Sequence, residues 1–432
     1  MSQSSMDVAL GSNLLTFAVP SAHDMMERTE RYYQWFQART EVGIWPYERA
    51  LHGPPGPVAT VEDRQGGVQT GINFASQDYL SLTGHPTIRE AALQAIHDFG
   101  PHSSGSGTLL GNTSSSYALE RELSEFLQVP SLVLFPTGWG AGYGAVAGLI
   151  RPADHVVLDT RAHACIQQGA MAACRNVGRH EHLDLDDARR ILAQIRGRDT
   201  KNAILVVTEG LFSMDADWPD ILALQELCHE YSATLMVDVA HDLGAMGPGG
   251  TGLLGEQSML GKVDIVMGAF SKTFASNGGF VASRLPGVTE YIRVYGNPHV
   301  FSNALSPMQT EVIRAALKIV RSEEGEALRQ NLSRAVHALR EGFASSGIPC
   351  LGKPSPIVPV PVGSEKVARL TSAELPKRGL FANLVEFPAV PVGQARFRMQ
   401  VQAAHTPEQS HQAVHIMLEA IQAACARYEA LA

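Results

Sequence analysis

Paired cysteines, a basic surplus and any long apolar run are missing from this chain, and each absence removes a class of function. The five cysteines, Cys165, Cys174, Cys228, Cys350 and Cys425, are scattered and odd in number. Their spacing fits neither a zinc site nor a disulfide framework, and it predicts a reducing compartment with no bound metal. Lys and Arg number 34 against 43 Asp and Glu, a formal charge of −9. That balance lacks the positive footprint a phosphate backbone demands, so nucleic acid is not an expected partner. The first thirty residues interleave Asp, Glu, His and Arg with short apolar pieces. They leave no secretory core and no stretch of about twenty apolar residues, so a soluble cytoplasmic protein without an integral membrane segment is expected.

What is present is ordinary globular material, 45% hydrophobic and 18% charged over 432 residues, enough for one large or two modest domains. Residues 1 to about 22 read as a loose tail. The stretch ERTERYYQWFQARTEVGIWPY, 27–47, carries aromatic and apolar residues at helical spacing, and HGPPGP at 52–57 marks a linker. Short apolar runs ending in small or polar residues follow at 132–135, 155–159, 203–208, 233–238, 264–269 and 279–283. The gaps between the first five each leave room for a crossover helix, the pattern of a mostly parallel buried sheet. The gap before the sixth is too short, which predicts one antiparallel strand within that sheet. Towards the C-terminus, GSEKVARLTSAELPKRG and TPEQSHQAVHIMLEAIQAACARYEAL read as helices around strands near 357–361 and 396–401. The expected organisation is an N-terminal tail and helix over 1–65, a large α/β domain over 66–310 and a smaller C-terminal α+β domain over 311–432.

In open α/β sheets ligands bind beyond the carboxyl ends of the strands, so the residues there carry the functional argument. After 132–135 comes PTGWGAG, a small-residue turn opening a helix, where backbone N–H groups and the positive helix end make an anion cradle at Thr137, Gly138 and Trp139. The next ends deliver His163 in TRAHACI, Glu209 and Ser213 in TEGLFSMDAD, Asp238 and His241 in DVAHDLGAMG, and Ser271 and Lys272 in GAFSKTFASNGG. A phosphate cradle, a buried carboxylate, two histidines and a lysine together describe a site for pyridoxal 5′-phosphate. A lysine amine held with a lowered pKa bonds an aldehyde. An aspartate against the pyridine nitrogen keeps it protonated, so that the ring withdraws electrons from a carbanion. Glu209 and Ser213 are equally able to order the sheet edge.

Three other stretches carry less. GSGTLLG at 105–111 has dinucleotide-like glycines but no preceding strand or acidic partner. RHEHLDLDD at 179–187 has metal-ligand residue types but reads as a solvated turn leading into a helix. GPGGTG at 247–252 reads as a flexible segment rather than a phosphate loop.

The segments VDVAHDLGAMGPGGTG, MGAFSKTFASNGGF, HACI, TEGLFSMDAD and RFRMQVQAAHTPEQ occur in colinear order between residues 72 and 420. In this they resemble the α-oxoamine synthases, fold-type I pyridoxal phosphate enzymes that include serine palmitoyltransferase, aminolevulinate synthase, amino-oxononanoate synthase and aminoketobutyrate ligase. The resemblance implies a mostly parallel, seven-stranded-type sheet in the large domain. It also implies a homodimer with its active site at the interface and a decarboxylative condensation of an amino acid with an acyl thioester, on coenzyme A or a carrier protein. On the same basis Lys272 is the Schiff-base lysine, Asp238 the pyridinium partner, His241 the contact to the ring's phenolic oxygen and His163 the imidazole stacked over the ring. Thr137, Gly138, Trp139 and Ser271 serve the phosphate. Arg398 grips the amino-acid carboxylate, competing with a structural ion-pair role because Arg396 shares its strand face.

The chain departs from the family pattern at Gly107 where an arginine is usual, Ser116 for a histidine, Gln77 for an asparagine next to the substrate, Asn303 for a hydroxyl residue and Ala269 for a threonine. These departures touch substrate selection rather than cofactor chemistry. Transamination or retro-aldol cleavage is the rival reading, since the same lysine and aspartate serve both. A catalytically silent partner subunit is disfavoured by Lys272, and an NAD-dependent enzyme by the missing fingerprint.

Overall fold

The computed structural model describes residues 3–18 and 23–431. Its strands are β1 (Ala50–Leu51), β2 (Val58–Glu62), β3 (Val68–Phe74), β4 (Ser131–Phe135), β5 (His155–Asp159), β6 (Asn176–His180), β7 (Ile204–Glu209), β8 (Thr234–Asp238), β9 (Ile265–Ala269), β10 (Gly279–Ser283), β11 (Ile357–Gly363), β12 (Leu380–Val385) and β13 (Ala395–Gln400). The chain divides into two compact units. One takes residues 80–213 and 217–329, and the other the described residues up to 79 with 214–216 and 330–431.

The first unit is built on a seven-stranded sheet in the order β4-β10-β9-β8-β7-β5-β6. β10 runs antiparallel to both β4 and β9, while the remaining pairs are parallel. Helices between the parallel strands cover the sheet, so β7 and β9 are buried along their whole length and read as unbroken apolar runs. Val133, Val156, Val207, Met236 and Met267 fill this core. The helices leave the strand ends through polar caps: Thr137 for Gly138–Leu149, His163 for Ala164–Ala173 and Asp220 for Ile221–Glu230. Each cap side chain accepts a backbone N–H of the first turn, which fixes a polar residue just past the carboxyl end of a strand. β6 was not expected. It pairs only with β5 at the sheet edge, and its half-exposed sequence NVGRH has no apolar run to reveal it.

The second unit holds a six-stranded sheet, β1-β2-β3-β12-β13-β11, parallel only between β3 and β12. Both ends of the chain therefore share one sheet, a pairing across some three hundred residues that local apolar pattern does not encode. The residues expected as a loose tail instead include helices Gln3–Leu10 and Leu14–Ala18, while 1–2 and 19–22 lie outside the described residues. Met6, Ala9 and Leu10 are buried. Arg369 donates to the carbonyls of Leu10 at 2.6 Å and Ser12 at 2.9 Å, and Trp35 Nε1 to that of Gly11 at 3.0 Å. The aromatic helix Met25–Glu41, capped by Asp24, buries Trp35 in this unit, and helices Glu365–Lys377 and Pro407–Glu429 complete it. Among the described residues no helix is long and apolar enough to cross a membrane.

Candidate active site

At the carboxyl edge of the seven-stranded sheet a cleft of about 220 Å³ is lined by Thr137, Gly138, Trp139, His163, Glu209, Asp238, His241, Ser271 and Lys272. Five separate strand ends, those of β4, β5, β7, β8 and β9, supply them. Ser213 follows β7 half-buried and is not among the lining residues. Gln77 and Arg398 belong to the six-stranded unit.

The helix Gly138–Leu149 points its amino end into the cleft. Thr137 Oγ1 accepts the Gly140 N–H at 2.9 Å, which leaves the first backbone N–H groups and the hydroxyl hydrogen for an anion. Only glycine fits at 138, since a Cβ there would lie 2.4 Å from that of Ala269. The turn therefore offers a bare backbone surface to a phosphate.

Glu209 and Asp238 are register neighbours at the ends of β7 and β8, and both are buried. Asp238 is oriented by the Ala240 N–H, 2.9 Å from its Oδ1. Burial pushes its carboxyl pKa up, while the charges of His163 and Lys272 pull it down. Burial pushes Glu209 up as well, and the neighbouring Asp238 charge pushes it further, against the His163 backbone N–H it accepts. Of these two neighbouring carboxyls the upward push is the stronger on Glu209, so Asp238 is the better placed to carry charge. An anionic Asp238 in a dry cleft fits a protonated ring nitrogen. With the glycine-lined anion cradle and Lys272, the residues present fit pyridoxal phosphate.

His163 caps its helix through Nδ1, which accepts the Cys165 N–H at 3.3 Å and lies 3.0 Å from Cys165 Sγ. Its ring meets Trp139 edge-on at 6.0 Å. In the sequence Cys165 stands out only as part of the HACI motif. Burial pushes its thiol pKa well up, so it acts as an inert wall of the cleft.

Two expectations nearby are corrected. The RHEHLDLDD stretch does turn into the helix Leu185–Arg196 as expected, but it is only partly solvated: its first two residues end β6 and His182 is enclosed by carboxylates. His182 Nδ1 lies 2.8 Å from Asp159 and Nε2 3.1 Å from Asp217. Burial alone would lower this imidazole, but the hydrogen bonds to the two aspartates outweigh it and hold the pKa at about 9. The resulting cation ties the SMDAD loop to the end of β5. The GPGGTG stretch is not a free segment either. Gly244 N–H donates to Gly250 O at 2.7 Å and Leu253 N–H to the buried Asp242 Oδ2 at 2.7 Å, which hold the loop against the core.

The family departures sit in defined surroundings. Gly107 faces His299, whose Nε2 would lie 2.6 Å from an added Cβ, and that imidazole is fixed by Thr108 Oγ1 and the Arg293 carbonyl, each 3.0 Å from Nδ1. Asn303 bridges to Ser106 beside it. Ser116 closes a reciprocal cap with Thr113, and Ala269 lines the cleft. Arg396 and Arg398, alternate residues of β13, differ sharply. Arg396 pairs with Asp215 at 2.7 Å, whereas Arg398 Nε is buried with no hydrogen-bond partner among the described residues.

Residues 69–417 match the family described as aminotransferase class I and II. The chain is 31% identical over 368 residues to the 8-amino-7-oxononanoate synthase of Thermoanaerobacter pseudethanolicus (strain ATCC 33223 / 39E), covering 85% of this chain and 91% of that protein. It is 33% identical over 347 residues to the serine palmitoyltransferase of Sphingobacterium spiritivorum, covering 80% and 86%. A solved serine palmitoyltransferase with pyridoxal phosphate superposes with a TM-score of 0.86 at 26% identity, over 93% of this chain and 99% of that one. By motif, fold and relatedness, the chain belongs to the class I and II aminotransferase family, in its α-oxoamine synthase branch of fold-type I pyridoxal phosphate enzymes.

Proposed function

We propose that the protein condenses an amino acid with an acyl thioester, releasing carbon dioxide and a thiol and yielding an α-aminoketone. The observation that carries this reading is the convergence of Lys272, Asp238, His163 and His241 with a glycine-lined helix end in one cleft. When bound, pyridoxal phosphate supplies an electron sink for a carbanion at the substrate α-carbon. The chain does the rest. Thr137, the Gly138 and Trp139 backbone and Ser271 hold the phosphate, and Asp238 holds the proton on the ring nitrogen. His241 would donate to the cofactor's phenolic oxygen, and His163 would stack on its ring. Lys272 anchors the cofactor's aldehyde carbon and, once freed by the amino acid, removes the α-proton with its neutral amine.

Arg398 is the reader of the amino-acid carboxylate. Burial lowers its pKa, only Tyr79 offsets that, and its free Nε suits a bidentate partner, whereas Arg396 is already paired. The family likeness also supports a cytoplasmic homodimer whose site is completed at the interface, with Gln77 beside the substrate. Addition of each proteinogenic amino acid to the cofactor-loaded enzyme with acyl-coenzyme A tests the reading. Amino-acid-dependent thiol release with an aminoketone of matching mass is expected, and oxo-acid formation without thiol release would favour transamination.

A further inference from the structure

The six-stranded unit has a cavity of its own, about 210 Å³, close in size to the cofactor cleft of about 220 Å³. Trp45, Tyr47, Arg49, Val61, Asp63 and Phe381 are among its walls. Three of the buried arginines in this unit are engaged by carboxylates: Arg39 and Arg369 share Glu386, and Arg396 holds Asp215. The half-buried Arg49 is not. Among the described residues its guanidinium makes no hydrogen bond or ion pair, and the carboxylate it senses, Asp63, accepts the Gln65 and Gly67 N–H groups at 2.8 and 2.9 Å in the β2–β3 turn. Burial lowers the Arg49 pKa and Asp63 offsets this only in part.

A second donor in the same wall is also unmet. Trp45 Nε1 is buried without an acceptor. The indole packs edge-on against Phe36 at 4.9 Å and Tyr47 at 5.2 Å. Two further cations, Arg64 and Lys377, line the cavity but are paired with Glu48 at 2.6 Å and Glu374 at 2.9 Å. A half-buried guanidinium without a partner, beside a buried indole N–H without one, leaves donors that an arriving acceptor could satisfy. A guanidinium fork is shaped for the two oxygens of a carboxylate or phosphate, and Val61 and Phe381 give the same space apolar walls.

We propose that this cavity binds a small organic anion, a carboxylate or phosphate monoester with an apolar body no larger than the cofactor, held by Arg49 and the Trp45 indole N–H. The site is independent of the proposed condensation. Calorimetric titration of the cofactor-loaded enzyme, whose own phosphate cradle is filled, tests it. The probes are hexanoate, phenyl phosphate, inorganic phosphate and chloride at matched ionic strength, with wild type, Arg49→Met and Trp45→Phe. One saturable site is expected for hexanoate or phenyl phosphate with a dissociation constant of about 1 mM or tighter. The tighter of the two identifies the headgroup. Arg49→Met weakens it about tenfold or more, as expected for a lost charge-assisted bond, and Trp45→Phe weakens it less. Without ligand, Arg49→Met melts at or above the wild-type temperature, because an uncompensated charge has been removed. Absence of saturable binding by either organic anion, undiminished binding in Arg49→Met, or a clear fall in its melting temperature would overturn the proposal.

Discussion

In the six-stranded unit Glu386 lies between Arg39 at 3.4 Å and Arg369 at 2.6 Å, and all three residues are at most 4% exposed. At the edge of the seven-stranded sheet Glu209 and Asp238 are just as buried but sit side by side, and burial raises both carboxyls. The first arrangement sets its carboxylate between two cations, each held by an ion pair within the unit. The second is left unbalanced, which suits the protonated ring nitrogen proposed to lie against Asp238. Buried charge thus marks structure where it is matched and a site where it is not. Arg396 and Arg398 repeat the distinction within one strand.

The comparison is most severely tested by Lys272→Ala, for which turnover falls about 10³-fold or more while the thermal midpoint of the apo-protein hardly moves. Collapse of the fold in that variant would erase the distinction. Glu386→Gln has the opposite signature. It leaves two buried guanidinium groups facing each other and lowers stability by about 3–5 kcal/mol in urea unfolding, with turnover per folded molecule unchanged. Asp238→Asn sharpens the contrast on the site's side, because turnover falls about 10²-fold and apo-protein stability holds or rises as a strained charge disappears.

The smallest effect concerns Asp242, which sits fully buried behind the cleft. Burial pushes its pKa up to about 8, with the Leu253 N–H pulling the other way. The folded state therefore holds a proton that the unfolded chain has released above about pH 4. This contribution to stability is present in acid and is lost as the pH rises from about 4 through 8. Asp242→Asn should flatten the stability curve over that window, as read from urea midpoints at a series of pH values.

Much of this was legible in the sequence for one physical reason: fully buried parallel strands must be unbroken apolar runs, and their ends must be polar. That located β4, β5, β7, β8, β9 and the antiparallel β10, with the lysine, aspartate and histidines placed beyond them. Edge strand β6 escaped because it is half-solvated, and β12 because its pairing with β3 is set by residues far away in the chain. The amino-terminal helices escaped because their stability comes from Arg369, some 360 positions later, rather than from their own pattern. His182 looked solvated because sequence shows its acidic neighbours but not that Asp159 and Asp217 close around it from two other segments. Arg49, in a linker-like stretch before HGPPGP, gave no signal at all, since the lack of a partner is a property of three dimensions.

The central claim is that Lys272 bonds the cofactor in a cleft governed by Asp238. Borohydride reduction of the pyridoxal phosphate-loaded protein, followed by peptide mass mapping, tests it most directly. A single pyridoxyl adduct on the peptide containing residue 272, absent from Lys272→Ala, is the predicted result. An adduct on a different lysine, or none on protein that still turns over, contradicts the account.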